Sequence, residues 1–177
     1  MTALECVMST ADQSSRAALL ARIEAFCARP GTSVLFDRES ASLLDVYSSK
    51  TVSIDPQQLV RVEERVDAQT GQPYLRLDHA SRQLAITAAG IAFAPDFRNS
   101  GSVSELPQAV CFRDFRSLLE RFKHQIYGHS EQPPDRDAVE LLMMCIAILD
   151  GARAQGFDVG GEEKELEWHL SELERRR

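Results

Sequence analysis

In Leu59-Val-Arg-Val-Glu-Glu-Arg-Val66 and Tyr74-Leu-Arg-Leu-Asp-His79, apolar and polar residues tend to alternate. A segment rich in turn-forming residues, Asp67-Ala-Gln-Thr-Gly-Gln-Pro73, joins the two stretches. Alternation with a period of two is typical of half-buried strands, and so short a connection favours antiparallel neighbours. The two stretches therefore predict a β-hairpin.

The alternation extends outward from this hairpin, from about residue 33 to residue 94. The strand candidates are Ser33–Phe36, Leu43–Tyr47, Thr51–Ile54, Leu59–Val66, Tyr74–His79, Leu84–Thr87 and Ile91–Ala94. Tight spacing predicts an antiparallel meander of five to seven short strands. The side chains expected to face the core are Val60, Val62, Leu75, Leu77, Leu84, Ile86, Ile91 and Phe93.

Outside this region apolar residues recur every three or four positions, which is typical of amphipathic helices. One helix is predicted before the sheet, over about 11–29, and three after it, over about 112–127, 134–154 and 162–177. The segment 95–111 has the composition of a loop. The prediction is a single α+β domain spanning 1–177, with a sheet at 33–94 and a helical half at 112–177.

Up to seven short strands followed by a helix resembles the element order of pleckstrin-homology-like barrels. This analogy rests on strand count alone and implies no function.

The composition argues against several classes of protein. The 177 residues carry a net charge of −7, whereas general nucleic-acid binding needs a clustered basic surface. The longest apolar run, Leu141–Leu149, is far shorter than the ~20 residues of a membrane span. No basic stretch followed by an apolar core opens the chain, so no signal peptide is expected. The four cysteines lack metal-like spacing, so we expect no metal, no cofactor and a cytoplasmic location.

Two weak indications favour an enzyme of unfamiliar type. Cys111 and His124 could form a thiolate–imidazole pair, although no local signature supports it. Glu64 should face the core if Val60 and Val62 do, and a buried carboxylate could line a pocket with an arginine. Alternatively, a bulge or strand end returns Glu64 to water, where the partners expected from the sequence are Arg76 and Arg82.

A basic flank follows the apolar stripe of the helix predicted at 112–127. Arg113, Arg116 and Lys123 form a local cationic excess in an acidic protein. They could bind an acidic partner or an anionic ligand such as a phosphate-bearing headgroup. The alternative is a solvated face in which Arg116 pairs with Glu120.

The last predicted helix supports the leading functional hypothesis. Leu166, Leu170 and Leu173 form a narrow stripe, and Trp168 lies on the opposite side. An apolar residue on each side of a terminal helix suggests two contacts, and tryptophan is enriched in binding hot spots. We therefore expect a non-enzymatic interaction or regulatory protein that binds a protein partner, or itself as a homodimer, through these four residues. The alternative is that Trp168 packs within the chain or lies flat on its surface.

Overall fold

The structure is a computed structural model that describes residues 10–100, 106–128 and 136–175, without the side chains of residues 10–14 and 136. The helices are α1 (Thr10–Cys27), α2 (Phe112–Gly128), α3 (Arg136–Ala154) and α4 (Gly160–Arg175). The strands are β1 (Val34–Asp37), β2 (Ser42–Asp45), β3 (Lys50–Ser53), β4 (Leu59–Val66), β5 (Pro73–His79), β6 (Gln83–Thr87) and β7 (Gly90–Phe93). The predicted start of the third helix at Pro134 lies outside the described residues.

The seven strands form two antiparallel meanders, a three-stranded sheet in the order β1-β2-β3 and a four-stranded sheet in the order β4-β5-β6-β7. The predicted α+β class and antiparallel sheet are confirmed. In the larger sheet Val62 pairs with Leu77, Leu77 pairs with Leu84, and Leu84 pairs with Phe93. These four side chains therefore share the inner face. The barrel is not closed, because no strand pairing in the described chain joins the three-stranded sheet to the four-stranded sheet.

One prediction of the inner face is wrong, since the side chain of Val60 is 67% exposed. The register of β4 against β5 shifts between Leu59 and Arg61. The extra residue turns Val60 outward and puts Leu59 and Val62 in the core. A bulge of this kind leaves a strand's residue types unchanged, so alternation alone assigned the wrong face.

Helix α1 covers one side of the strands by contacting both β1 and β4. Ile23 and Phe26 bury their side chains there, and the guanidinium of Arg22 donates to the carbonyl oxygen of Val62. The first helix therefore packs on the sheet.

The other side of the core belongs to the helical half. The rings of Phe93, Phe112 and Phe157 meet with centroids 5.3–5.6 Å apart, which joins β7, α2 and the segment between α3 and α4. Most of the apolar run 141–149 in α3 is buried, as its composition predicts. No helix in the described part of the chain is both long and apolar enough to span a membrane.

Candidate functional site

The last helix, α4, is fixed to the rest of the chain along one face. Its first turn is capped by Asp158, whose carboxylate accepts the N–H of Gly160 at 3.0 Å. Glu162, Leu166 and His169 lie one turn apart on this face and are each about 95% buried. The helix is therefore part of the core as well as a surface element.

The four residues predicted to bind a partner do not share one surface. Leu166 lies in the core, and Leu170 and Leu173 are partly buried against it. Trp168 is 56% exposed on the side of α4 that faces away from the core. Of the four, Trp168 is thus the residue presented to solvent, and binding through these residues stays a prediction.

The ring of Trp168 packs against a histidine that is itself hydrogen-bonded to α2. The Trp168 ring contacts the ring of His169 edge to face, with centroids 4.9 Å apart. His169 Nδ1 is hydrogen-bonded to the hydroxyl of Tyr127 on α2 at 2.8 Å. Burial, and then the charge of Lys123, lower the pKa of His169, which favours the neutral ring at pH 7. A side chain held on such a support loses little conformational entropy when a partner covers it.

Two cations hold the acidic start of α4. Lys50 from β3 lies 2.7 Å from the carboxylate of Glu162 and 2.6 Å from the carbonyl oxygen of Asp158. Arg116 from α2 lies 2.6 Å from Glu165 and 3.6 Å from Glu162. The basic flank of α2 suggested an acidic partner, and for Arg116 this partner is the start of α4 in the same chain.

The other two cations of the basic flank also have neighbours. The guanidinium of Arg113 lies 4.3 Å from the centre of the exposed Tyr47 ring, and Lys123 pairs with Glu120 at 2.6 Å. The expected pair of Arg116 with Glu120 is not formed, because the carboxylates of α4 compete for Arg116. Anion binding by Arg113, Arg116 and Lys123 stays a prediction.

We expect Arg116→Glu to destabilise the fold by about 1–2 kcal/mol, because it removes two ion pairs and adds a like charge beside Glu162 and Glu165. Urea unfolding followed by circular dichroism measures this loss. Arg121→Glu is the control, since the described ion pairs do not include Arg121, and its effect should be below about 0.5 kcal/mol. Equal stability of the two variants would contradict the contact between α2 and α4.

A shallow groove of about 300 Å³ lies between α3 and α4. Its apolar lining is Ile146, Leu149, Leu166 and Leu170, and its polar rim is Asp150, Arg153, Glu163 and Glu167. We refer to it as the α3–α4 groove. Sequence reasoning missed it, because a groove requires the packing of two helices whose faces were each judged alone. The sequence contained one indication of this surface. Glu163, Glu167, Leu170 and Glu174 follow one another at intervals of three or four residues, so they lie on one side of the helix.

Glu64 is exposed and lines neither of the two described grooves. Its two carboxylate oxygens accept hydrogen bonds from Arg29 at 2.6 and 2.7 Å, which lower the pKa of Glu64. The partners expected from the sequence have other contacts, since Arg76 pairs with Asp78 and Arg82 donates to backbone carbonyls. Arg29 follows α1, and no local pattern links it to a strand 35 residues away.

Cys111 and His124 are not brought together. Cys111 is buried immediately before α2, and His124 is exposed in the fourth turn of that helix. At 1.5 Å per residue their backbones are ~20 Å apart. Burial raises the pKa of the Cys111 thiol to about 11, so it is protonated at pH 7 and a weak nucleophile.

An open groove of about 880 Å³ lies on the outer face of the four-stranded sheet. Its charged side chains are engaged within the chain. Arg76 pairs with Asp78 at 2.8 Å, and Asp114 accepts the N–H of Cys111 at 2.7 Å. Nowhere in residues 10–100, 106–128 and 136–175 do three His, Cys, Asp or Glu side chains group so as to hold a metal ion.

Comparison of the chain with protein-family models, with curated proteins and with solved structures finds no match.

Proposed function

We propose that this chain is a non-enzymatic interaction protein of the cytoplasm that binds a protein partner, or a second copy of itself, through the exposed face of α4. The observation that carries the proposal is Trp168, which is the chain's single tryptophan and is 56% exposed on a helix whose opposite face is buried. Exposed tryptophans are costly to leave in water and strongly enriched in binding hot spots.

The immediate surroundings of Trp168 support this role. The ring contacts His169 edge to face, and His169 is hydrogen-bonded to Tyr127, so the anchor is held in place before binding. An enzymatic role has less support, because burial keeps the thiol of Cys111 protonated and Glu64 is bound by Arg29 at the surface.

Removal of α4 is a poor test, because Leu166 and Glu162 are buried and the truncated chain would expose core. A photo-reactive benzoylphenylalanine at position 168, in cells that make the chain naturally, tests the face directly. We expect one discrete protein adduct, identified by mass spectrometry as a partner or as the chain itself. The control places the same group at Val66, which is 66% exposed on β4.

The expected adduct forms from position 168 and not from position 66. In purified protein Trp168→Ala should leave the unfolding midpoint within about 2 °C, because a half-exposed surface side chain contributes little to stability. Absence of any adduct at position 168, or equal labelling from both positions, counts against the proposed face.

A further inference from the structure

The α3–α4 groove is a second surface, on a different side of α4 from Trp168. Its floor is apolar, with Leu149 and Leu166 buried and Ile146 and Leu170 partly exposed. The apolar surface continues along α3 to Val139, which is two turns before Ile146 and 44% exposed. The apolar face of α3 therefore extends beyond the groove lining toward the start of the helix.

Carboxylates dominate the edge that α4 contributes. Glu163, Glu167 and Glu174 follow one another at intervals of four and seven residues, which places them in one row on the helix. We call them the acidic row. The opposite edge carries Asp150 and Arg153. Glu174 continues the row beyond the lining, and within the lining three carboxylates against one guanidinium leave the groove with a net negative charge.

The one cation of the groove is already neutralised, since Arg153 contacts both Asp150 and Glu163. The carboxylates of α4 that take part in described ion pairs are Glu162, Glu163, Glu165 and Glu172. Glu167 and Glu174 are both exposed and are not among them. These two carboxylates are consequently open to a cation from outside the described chain.

We propose that the α3–α4 groove binds a basic amphipathic helix of a partner protein. The apolar stripe of that helix lies on the floor, and its lysine or arginine flank lies against the acidic row. Glu163 and Glu174 are 11 residues apart, so the row extends for ~16 Å and matches three turns of a bound helix. An apolar groove with charge on its rim is the usual receptor for an amphipathic helix, where charge selects the partner and its orientation.

The probe is a fluorescein-labelled helix of about 14 residues built from leucine and lysine, with leucines at helical spacing. Fluorescence anisotropy with the full chain measures its binding. We expect saturable binding that weakens as salt increases, because part of the affinity is electrostatic. A peptide of identical composition with a scrambled pattern has no apolar stripe and should bind at least tenfold more weakly.

Two matched charge reversals locate the site. Glu167→Lys should weaken binding about tenfold, because it places a like charge opposite the lysine flank. Glu39→Lys makes the same change in net charge at an exposed position on the connection between β1 and β2, and should alter binding less than twofold. Both side chains are on the surface, so both variants should fold, which thermal unfolding verifies. Trp168→Ala should leave binding unchanged, which separates this site from the proposed α4 face.

Three results of the binding measurements would overturn the proposal. The first is absence of binding, and the second is equal binding of the scrambled peptide. The third is an equal loss in Glu39→Lys and Glu167→Lys, which would indicate only general attraction to an acidic protein. Light scattering tests whether a second copy of the chain occupies the groove instead. A free chain that is dimeric, and becomes monomeric on Glu167→Lys, would assign the groove to a second copy and reject the partner helix.

Discussion

Replacing Gly151 with alanine should lower the free energy of unfolding by about 3 kcal/mol, an effect typical of overpacking a site that cannot relax. Gly151 lies in α3 where the helix meets the chain that leaves β7. A Cβ atom there would fall well inside van der Waals contact of the Ala94 carbonyl oxygen and 2.8 Å from the Cα of Pro95. Both are backbone atoms, so no side-chain rotation relieves the overlap.

The alanine methyl group would also strain a hydrogen bond between α3 and residues 94–96. The N–H of Asp96 donates to the carbonyl oxygen of Ala147, one turn before Gly151 in α3, at 2.8 Å. Pushing residues 94–96 away from the helix lengthens this bond and loosens the exit from β7. The loss should therefore exceed that of an ordinary surface substitution.

Urea unfolding followed by far-ultraviolet circular dichroism measures this change, since the exposed Trp168 is a poor reporter of the core. Gly161→Ala is the matched control, because a Cβ atom at this glycine of α4 meets no atom within 4 Å. There the better helix propensity of alanine should leave stability unchanged or raise it by up to ~1 kcal/mol. If Gly151→Ala is as stable as Gly161→Ala, helix α3 does not lie against residues 94–96 as described.

Local periodicity was sufficient for most of the fold. The alternation around the hairpin predicts β4 and β5, and the stripe from Phe112 to Ile126 predicts α2, because each pattern reports a single element and its buried face. The pattern fails at Val60, where a bulge shifts the register without altering residue types. It is also silent on closure of the sheets, which depends on contacts between distant strands.

The candidate sites divide in the same way. The position of Trp168 opposite the leucine stripe follows from its angle on one helix, so the sequence predicts that position, whereas packing within the chain stayed an open alternative. The ion pairs of Arg116 with Glu165 and of Arg29 with Glu64 join residues 49 and 35 positions apart, and no local spacing indicates them. The α3–α4 groove likewise exists only after two helices have packed.

Asp45 is a further residue that sequence reasoning overlooked, and its replacement by alanine should cost about 3–4 kcal/mol. The carboxylate ends β2 and is 1% exposed. One oxygen accepts the N–H groups of Tyr47 and Ser48 at 3.0 and 3.1 Å. The other accepts the N–H of Ile91 in β7 at 3.0 Å, so the side chain of Asp45 connects the two sheets.

The cost follows from what alanine leaves behind. The N–H groups of Tyr47 and Ser48 lie in a turn that water can reach, whereas Ile91 is fully buried and its donor loses its partner. A buried unsatisfied donor and the loss of hydrogen bonds to a charged acceptor each contribute ~1–3 kcal/mol. Asp67 provides the control, because its carboxylate accepts the N–H groups of Gln69 and Thr70 in an exposed turn. Asp67→Ala should cost only about 1 kcal/mol, as measured by urea unfolding.

Gly90 allows a sharper test of the same contact. A Cβ atom at Gly90 would collide with the carboxylate of Asp45, and the glycine has a φ angle of +124°, which strains any other residue. Gly90→Ala should therefore be destabilising alone, and less so in the Asp45→Ala background, where only the backbone strain remains. A coupling free energy of about 1 kcal/mol or more is expected from the double-mutant cycle. Strict additivity would mean that Asp45 does not reach β7, and the hydrogen bond between its carboxylate and the N–H of Ile91 would then not connect the two sheets.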